Sequence, residues 1–279
     1  MCQRLLQAGA ALMVWNRTPG KAETLCLQGA VLAHSVAELV ANCDVVMLCV
    51  SDTEAVRQLL FADDGIAANA RAGQLLLDFS SIAPAATRDM AARLLAQTGM
   101  RWVDAPVSGG VRGAESGQLV IMAGGEEADI DVMRPLLAHL GQRVTRMGPV
   151  GAGQVTKVCN QLIVASNAML IAETVHLAAA AGVDAGKLAP ALAGGFADSL
   201  PFQILAPRMA AHDFALVQWR VATLLKDLGN ALALGQESGS DLPLATLAQQ
   251  LMQQHAALDG NGQRDLASII ELYDGDGSC

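Results

Sequence analysis

Lys157 and Asn160 stand three residues apart at the head of a long apolar stretch, directly behind the glycine turn Gly148-Pro149-Val150-Gly151-Ala152-Gly153. In a helix that spacing puts an ammonium and an amide on one face, where both can converge on one small polar molecule. Leu162-Ile163-Val164-Ala165 and Ala168-Met169-Leu170-Ile171-Ala172 follow, so much of the helix circumference needs burial. A lysine at the head of so apolar a helix requires a polar cavity or a partner. Upstream lies Asp104-Ala105-Pro106-Val107-Ser108-Gly109-Gly110. Pro106 stiffens this loop, Gly109 and Gly110 admit close backbone approach, and successive N–H groups with the Ser108 hydroxyl suit a carboxylate. Taken singly, each piece also reads as an ordinary turn or a solvated lysine.

The elements that must position these residues follow from the apolar pattern. Leu12-Met13-Val14-Trp15, Val45 to Val50, Leu75 to Phe79, Arg101-Trp102-Val103 and Leu119 to Met122 are short β-type runs. Between them, Val36 to Ala41, Thr53 to Leu60 and Pro84 to Gln97 carry helix composition and start signals. Strand and helix in repetition imply a doubly wound parallel sheet. Beyond about Arg146 the β-type runs stop, and residues 151–272 read as successive helices broken at Gly182, Gly194-Gly195, Pro201, Asp213 and Gly239-Ser240-Asp241. This change of texture marks a domain boundary: residues 1–147, an all-helical 148–272, and a flexible tail over 273–279.

Composition narrows the partners. A formal charge of −9 argues against nucleic acid and anionic membrane surfaces, both of which need a basic face. No run has the uninterrupted apolar length of a membrane span, and Met1 to Gly9 is too polar for a signal-peptide core. The six cysteines show no paired spacing, and His34, His139, His176, His212 and His255 are scattered without a metal-ligand motif. The expectation is a reduced, cytoplasmic, metal-free protein. Only 3% of residues are aromatic, so the core must be built from Ala, Val, Leu and Met.

The segment Asp104 to Gly110 and the helix head with Lys157 and Asn160 together resemble the signature of the β-hydroxyacid dehydrogenase family. That resemblance covers essentially the whole chain, and it implies a Rossmann-type sheet followed by an all-α domain. It also implies that Lys157 is the acid/base group and that Ser108, Gly109, Gly110 and Asn160 bind the substrate. The substrate implied is a small carboxylic acid, interconverted between 3-hydroxyacid and semialdehyde or keto acid, and the assembly a homodimer or homotetramer. For base work, partial desolvation must bring the amine down from the ordinary lysine value of about 10.4.

A dinucleotide sheet normally opens with a strand and a G-x-G-x-x-G turn, and the chain as written has neither. Met1 to Gly9 resembles the second half of the helix that follows such a turn, and Ala10 to Trp15 the second strand. The expectation is that the natural product starts upstream and that two strand edges are otherwise left unpaired. Gly151 to Thr156 imitates the fingerprint but places Thr156 where the third glycine belongs, so it is rejected as the pyrophosphate loop.

Asn16, Arg17 and Thr18 close the second strand where an acidic residue would hold ribose hydroxyls. A cationic set there favours a 2′-phosphate, hence NADP over NAD. Val50, Ser51 and Ser81 end two further strands, at the edge that touches ribose and nicotinamide in the family. Lys226 and Asp227, within Leu224-Leu225-Lys226-Asp227-Leu228, match the family's second lysine motif on the cofactor side. Phe196 reads as core, or more weakly as pocket wall. The rival readings are an imine reductase of the same architecture, a class that does not generally retain the lysine, and a non-catalytic homologue unable to bind dinucleotide.

Overall fold

The computed structural model describes residues 1–258 and 260–274. The chain divides into two compact units, Met1–Lys157 and Val158–Cys279. The first unit runs α1 (Cys2–Gln7), β1 (Met13–Val14), α2 (Glu23–Cys26), β2 (Val31–Leu32), α3 (Val36–Asn42), β3 (Val45–Leu48), α4 (Thr53–Phe61) and α5 (Ile66–Asn69). It continues with β4 (Leu75–Asp78), α6 (Pro84–Thr98), β5 (Arg101–Asp104), β6 (Val107–Ser108), α7 (Gly110–Ser116), β7 (Leu119–Gly124), α8 (Glu127–Leu137) and β8 (Gly141–Gly148).

Helix starts follow local chemistry. Asp52 caps α4 by accepting the Ala55 N–H at 2.9 Å, Ser35 caps α3 through Glu38 N at 3.0 Å, and Pro84 opens α6. Six strands form the main sheet in the order β3-β4-β5-β7-β6, with β8 on β7. Pairing is parallel from β3 through β5 and between β7 and β8, and antiparallel where β7 meets β5 and β6. Side chains alternate along the strands. Leu75, Leu77 and Val103 therefore pack with Leu5 of α1 and with Ile130, Met133 and Leu137 of α8. Leu76, Val46 and Trp102 pack on the other face with Val40, Val56, Leu60, Met90 and Leu94. Helices on both faces of a largely parallel sheet make the expected doubly wound α/β unit.

The sheet is in two pieces. β1 and β2 form a separate parallel pair, Met13 opposite Val31, and among the described residues β1 and β3 each keep one edge without a strand partner. Three strands were not expected from sequence: β2, β6 and β8. β8 reads GQRVTRMG and is mostly exposed, so no buried face patterns its apolar residues.

Helix α9 (Ala152–Ala180) begins in the first unit and continues into the second. There it is followed by α10 (Leu188–Leu192), α11 (Leu200–Ala210), α12 (Val221–Ser238), α13 (Pro243–Ala257) and 3₁₀ turns ending at Leu272. Ala165, Ala168, Met169, Ala172 and Val175 of α9 enter a core with Phe202, Leu205, Met209, Leu224, Leu228 and Met252. Contrary to the sequence expectation, α9 is long and apolar enough to cross a membrane by length and composition. Its polar residues are spaced out rather than grouped, which hides that length from a search for uninterrupted runs.

Two further expectations are corrected. Phe196 is not core: at 111% relative exposure its ring stands wholly in solvent, on a segment where Asp198 accepts the Gly194 N–H at 2.7 Å. Tyr273, assigned to the tail, packs against the helical core and donates its hydroxyl to Glu173 at 3.3 Å. The tail residues 275–279 lie outside the described residues.

Candidate active site

The site is organised by the C-terminal ends of β3, β4 and β5 and by the head of α9. Asp104 ends β5 with no exposed surface. Its carboxylate accepts the Gly151 N–H at 2.7 Å and the Gln154 N–H at 2.8 Å. A helix head leaves its first N–H groups unsatisfied and carries partial positive charge, so a carboxylate there completes the hydrogen bonding and the electrostatics together. Gly124 and Gly153 make the approach possible. A Cβ on Gly153 would collide with the carbonyl oxygen of Met122, and one on Gly124 with the Asp104 carboxylate and the Gly153 nitrogen. The Gly151 and Gln154 N–H groups thus face Asp104 and the Ala152 N–H the Pro149 carbonyl, which leaves that turn unsuited to a pyrophosphate.

Burial pushes Asp104 up to about 6, against the pull of the N–H groups it accepts. Asp78 lies beside it in the parallel register of β4 and β5. Burial drives Asp78 up to about 7, partly offset by hydrogen bonds from Ser80, with the Asp104 charge a smaller upward push. Asp78 Oδ1 accepts the Ser80 N–H at 2.9 Å, while Oδ2 is buried with no hydrogen-bond partner.

Gln154 ties the helix head to the neighbouring loops. Its Nε2 donates to the Ser80 carbonyl at 2.7 Å, and its Oε1 accepts the Ile82 N–H at 3.2 Å. The Ser80 hydroxyl in turn accepts the Val50 N–H at 3.0 Å. Val50 and half-buried Ser81 are thereby held on neighbouring loops, with exposed Ser51 beside Asp52, to which its hydroxyl donates at 2.6 Å. One helical turn beyond Gln154 stands Lys157, 8% exposed.

Ser108 is half-buried on β6 opposite Val120, and Gly109 and Gly110 are exposed with φ of 128° and 59° at the start of α7. β6 and the head of α9 both lie against β7. Asn16, Arg17 and Thr18 are exposed just beyond β1, where Asn16 Oδ1 accepts the Thr18 N–H at 2.9 Å. They follow the first strand of the small two-stranded sheet.

In the helical unit, Asn160 Nδ2 donates to Gln161 Oε1 at 2.8 Å, and Gln161 Nε2 donates to Asp227 Oδ2. The Lys226 ammonium stands 3.2 Å from Asp227 Oδ1. Asp227 is 4% exposed. The structure thus joins Asn160 to Lys226 and Asp227 through Gln161, a residue that sequence reasoning left without a role. Gln154, Asp78 and Ser80 were also missed. A glutamine one turn before a buried lysine on an apolar helix was the available signal for Gln154.

The loops after β3 and β4 stand at the C-terminal ends of parallel strands, the edge where open α/β sheets bind ligands. Among the 279 residues no G-x-G-x-x-G turn follows a strand.

Known protein families match both parts of the chain. Residues 1–148 match the family described as the NAD binding domain of 6-phosphogluconate dehydrogenase. Residues 151–273 match the one described as NAD-binding of NADP-dependent 3-hydroxyisobutyrate dehydrogenase. The chain is 35% identical to 2-hydroxy-3-oxopropionate reductase of Escherichia coli over 98% of its length and 92% of that protein. It is 33% identical to 3-hydroxyisobutyrate dehydrogenase of Pseudomonas aeruginosa over 99% of its length and 94% of that protein. Among solved structures it resembles 3-hydroxyisobutyrate dehydrogenase of Mycobacterium tuberculosis with L-serine, with a TM-score of 0.88 and 29% identity over 98% of this chain and 94% of that one. The chain belongs to the β-hydroxyacid dehydrogenase family.

Proposed function

We propose that this NAD(P)-dependent oxidoreductase interconverts a small 3-hydroxyacid and its semialdehyde or keto acid, prefers NADP, and uses Lys157 as its acid/base group. The observation that carries the proposal is a buried lysine one turn beyond a helix head that Asp104 and Gln154 fix to the active edge of the sheet. The nicotinamide, when bound, supplies or accepts the hydride. Negative charge then develops on the substrate oxygen; the Lys157 ammonium stabilises it and delivers the proton, or as a neutral amine removes it in the oxidative direction. Ser108, Gly109 and Gly110 hold the substrate carboxylate, and Asn160 orients the reacting hydroxyl.

Asn16, Arg17 and Thr18 take the 2′-phosphate, Val50, Ser51 and Ser81 line the ribose and nicotinamide, and Lys226 and Asp227 close the cofactor side. The match to a family described as NADP-dependent supports the cofactor preference. Residues 1–147 form the dinucleotide-binding domain, which also lends Ser108, Gly109 and Gly110 to the substrate, and residues 148–272 the substrate and self-association domain. Exposed Ile163, Leu170 and Leu177, seven apart on α9, support a homodimer or homotetramer, and the proposed place of work is the cytoplasm. The test is nicotinamide absorbance with a panel of small semialdehydes, keto acids and cyclic imines. Turnover confined to the imines would replace this reading.

A further inference from the structure

We propose that Gln154 is a positioning residue for Lys157: its carboxamide locks the head of α9 in register with the loop after β4. The inference rests on the reading of Lys157 as the acid/base group. Gln154 has no exposed surface and serves three hydrogen bonds. Its backbone N–H meets Asp104, its Nε2 meets the Ser80 carbonyl, and its Oε1 meets the Ile82 N–H. The two loop partners flank Ser81, and one of them demands a donor, the other an acceptor. The Gln154 amide meets both needs at one head group, with the donor on nitrogen and the acceptor on oxygen.

Lys157 is three positions further along the same helix, so it rises and turns with Gln154. A slip of one residue would move it about 1.5 Å along the axis and about 100° around it, and displacements near 1 Å cost on the order of 10²-fold in rate. Asp104 holds the helix end through the backbone N–H groups of Gly151 and Gln154. The carboxamide adds a second attachment, at Ser80 and Ile82. It also links the lysine to Val50, because the Ser80 hydroxyl accepts the Val50 N–H.

The test is a double-mutant cycle on turnover with the wild-type protein, Gln154→Met, Lys157→Ala and the double variant, alongside cofactor titration and amide exchange over residues 151–160. Methionine keeps the length and loses both head-group bonds. The expected result is a roughly 10–100-fold fall in turnover for Gln154→Met, faster exchange at the helix head, and less than about 2-fold further loss when Lys157 is already alanine. If Gln154→Met does not fold, Gln154→Glu, which retains an acceptor for Ile82 and loses the donor to Ser80, enters the same cycle with the same expectation. Equal losses in both backgrounds, or no loss, overturn the positioning role while leaving Lys157 in the chemistry. Wild-type turnover in Lys157→Ala overturns both readings together.

Discussion

The carboxylate of Asp104 accepts the backbone N–H of Gln154 at 2.8 Å across fifty residues of chain, joining the end of β5 to the head of α9. This bond fixes the head of a helix that carries a buried lysine one turn further on. Asp104 performs the work of an N-cap from a distant strand, and the glycines at 124 and 153 supply the space.

Removing that carboxylate tests the anchor. Asp104→Ala leaves the Gly151 and Gln154 N–H groups buried without their acceptor, at about 1–3 kcal/mol for each. Asp104→Asn keeps one acceptor oxygen and should lose about half as much. Urea unfolding of the three proteins should rank them in that order. Midpoints within experimental scatter of one another would show that water takes over the acceptor role.

The buried pair gives a pH signature. Asp78 is raised to about 7, above its ordinary value of 3.8, so the folded state holds the proton more tightly than the unfolded chain. Its contribution to stability is therefore complete below about pH 4 and lost as pH rises toward 7, on the order of 4 kcal/mol in full. Asp104, raised to about 6, adds in the same direction over a narrower window. Asp78→Asn removes the larger part of this dependence. Relative to wild type, the variant should gain stability steadily between pH 4 and pH 7; parallel curves would contradict the assignment.

The proposed NADP preference is tested at Arg17. Arg17→Asp replaces a cation beside Asn16 and Thr18 with a carboxylate, and the repulsion falls on a 2′-phosphate alone. NADP affinity should fall at least roughly tenfold, with NAD affinity changed far less. Equal losses for both cofactors would assign Arg17 to the fold.

Much of this architecture was legible in the sequence, for physical reasons. Val45 to Leu48 and Leu75 to Asp78 form central strands covered on both faces, so their apolar runs are continuous and unmistakable. β8 was invisible because an edge strand with an exposed face needs no apolar pattern, and β2 and β6 because two residues are too few to show one. Lys157 and Asn160 stood out as polar residues on an apolar helix. The roles of Asp104, Gln154 and Gln161 did not, because each depends on contacts 47 or more residues away along the chain. Phe196 misled because an aromatic side chain suggests burial, and here it is fully exposed.

The most direct test of the central claim is the steady-state turnover of Lys157→Ala against small 3-hydroxyacids and their semialdehydes, with NADP titration of the same protein. Turnover should fall at least roughly 10²–10⁴-fold, the scale of general acid/base catalysis, while cofactor affinity stays close to wild type. Lys157→Arg should not restore it, because a guanidinium stays protonated and needs different space. Near-normal turnover in the alanine variant would remove Lys157 from the chemistry and contradict the mechanism proposed for this site.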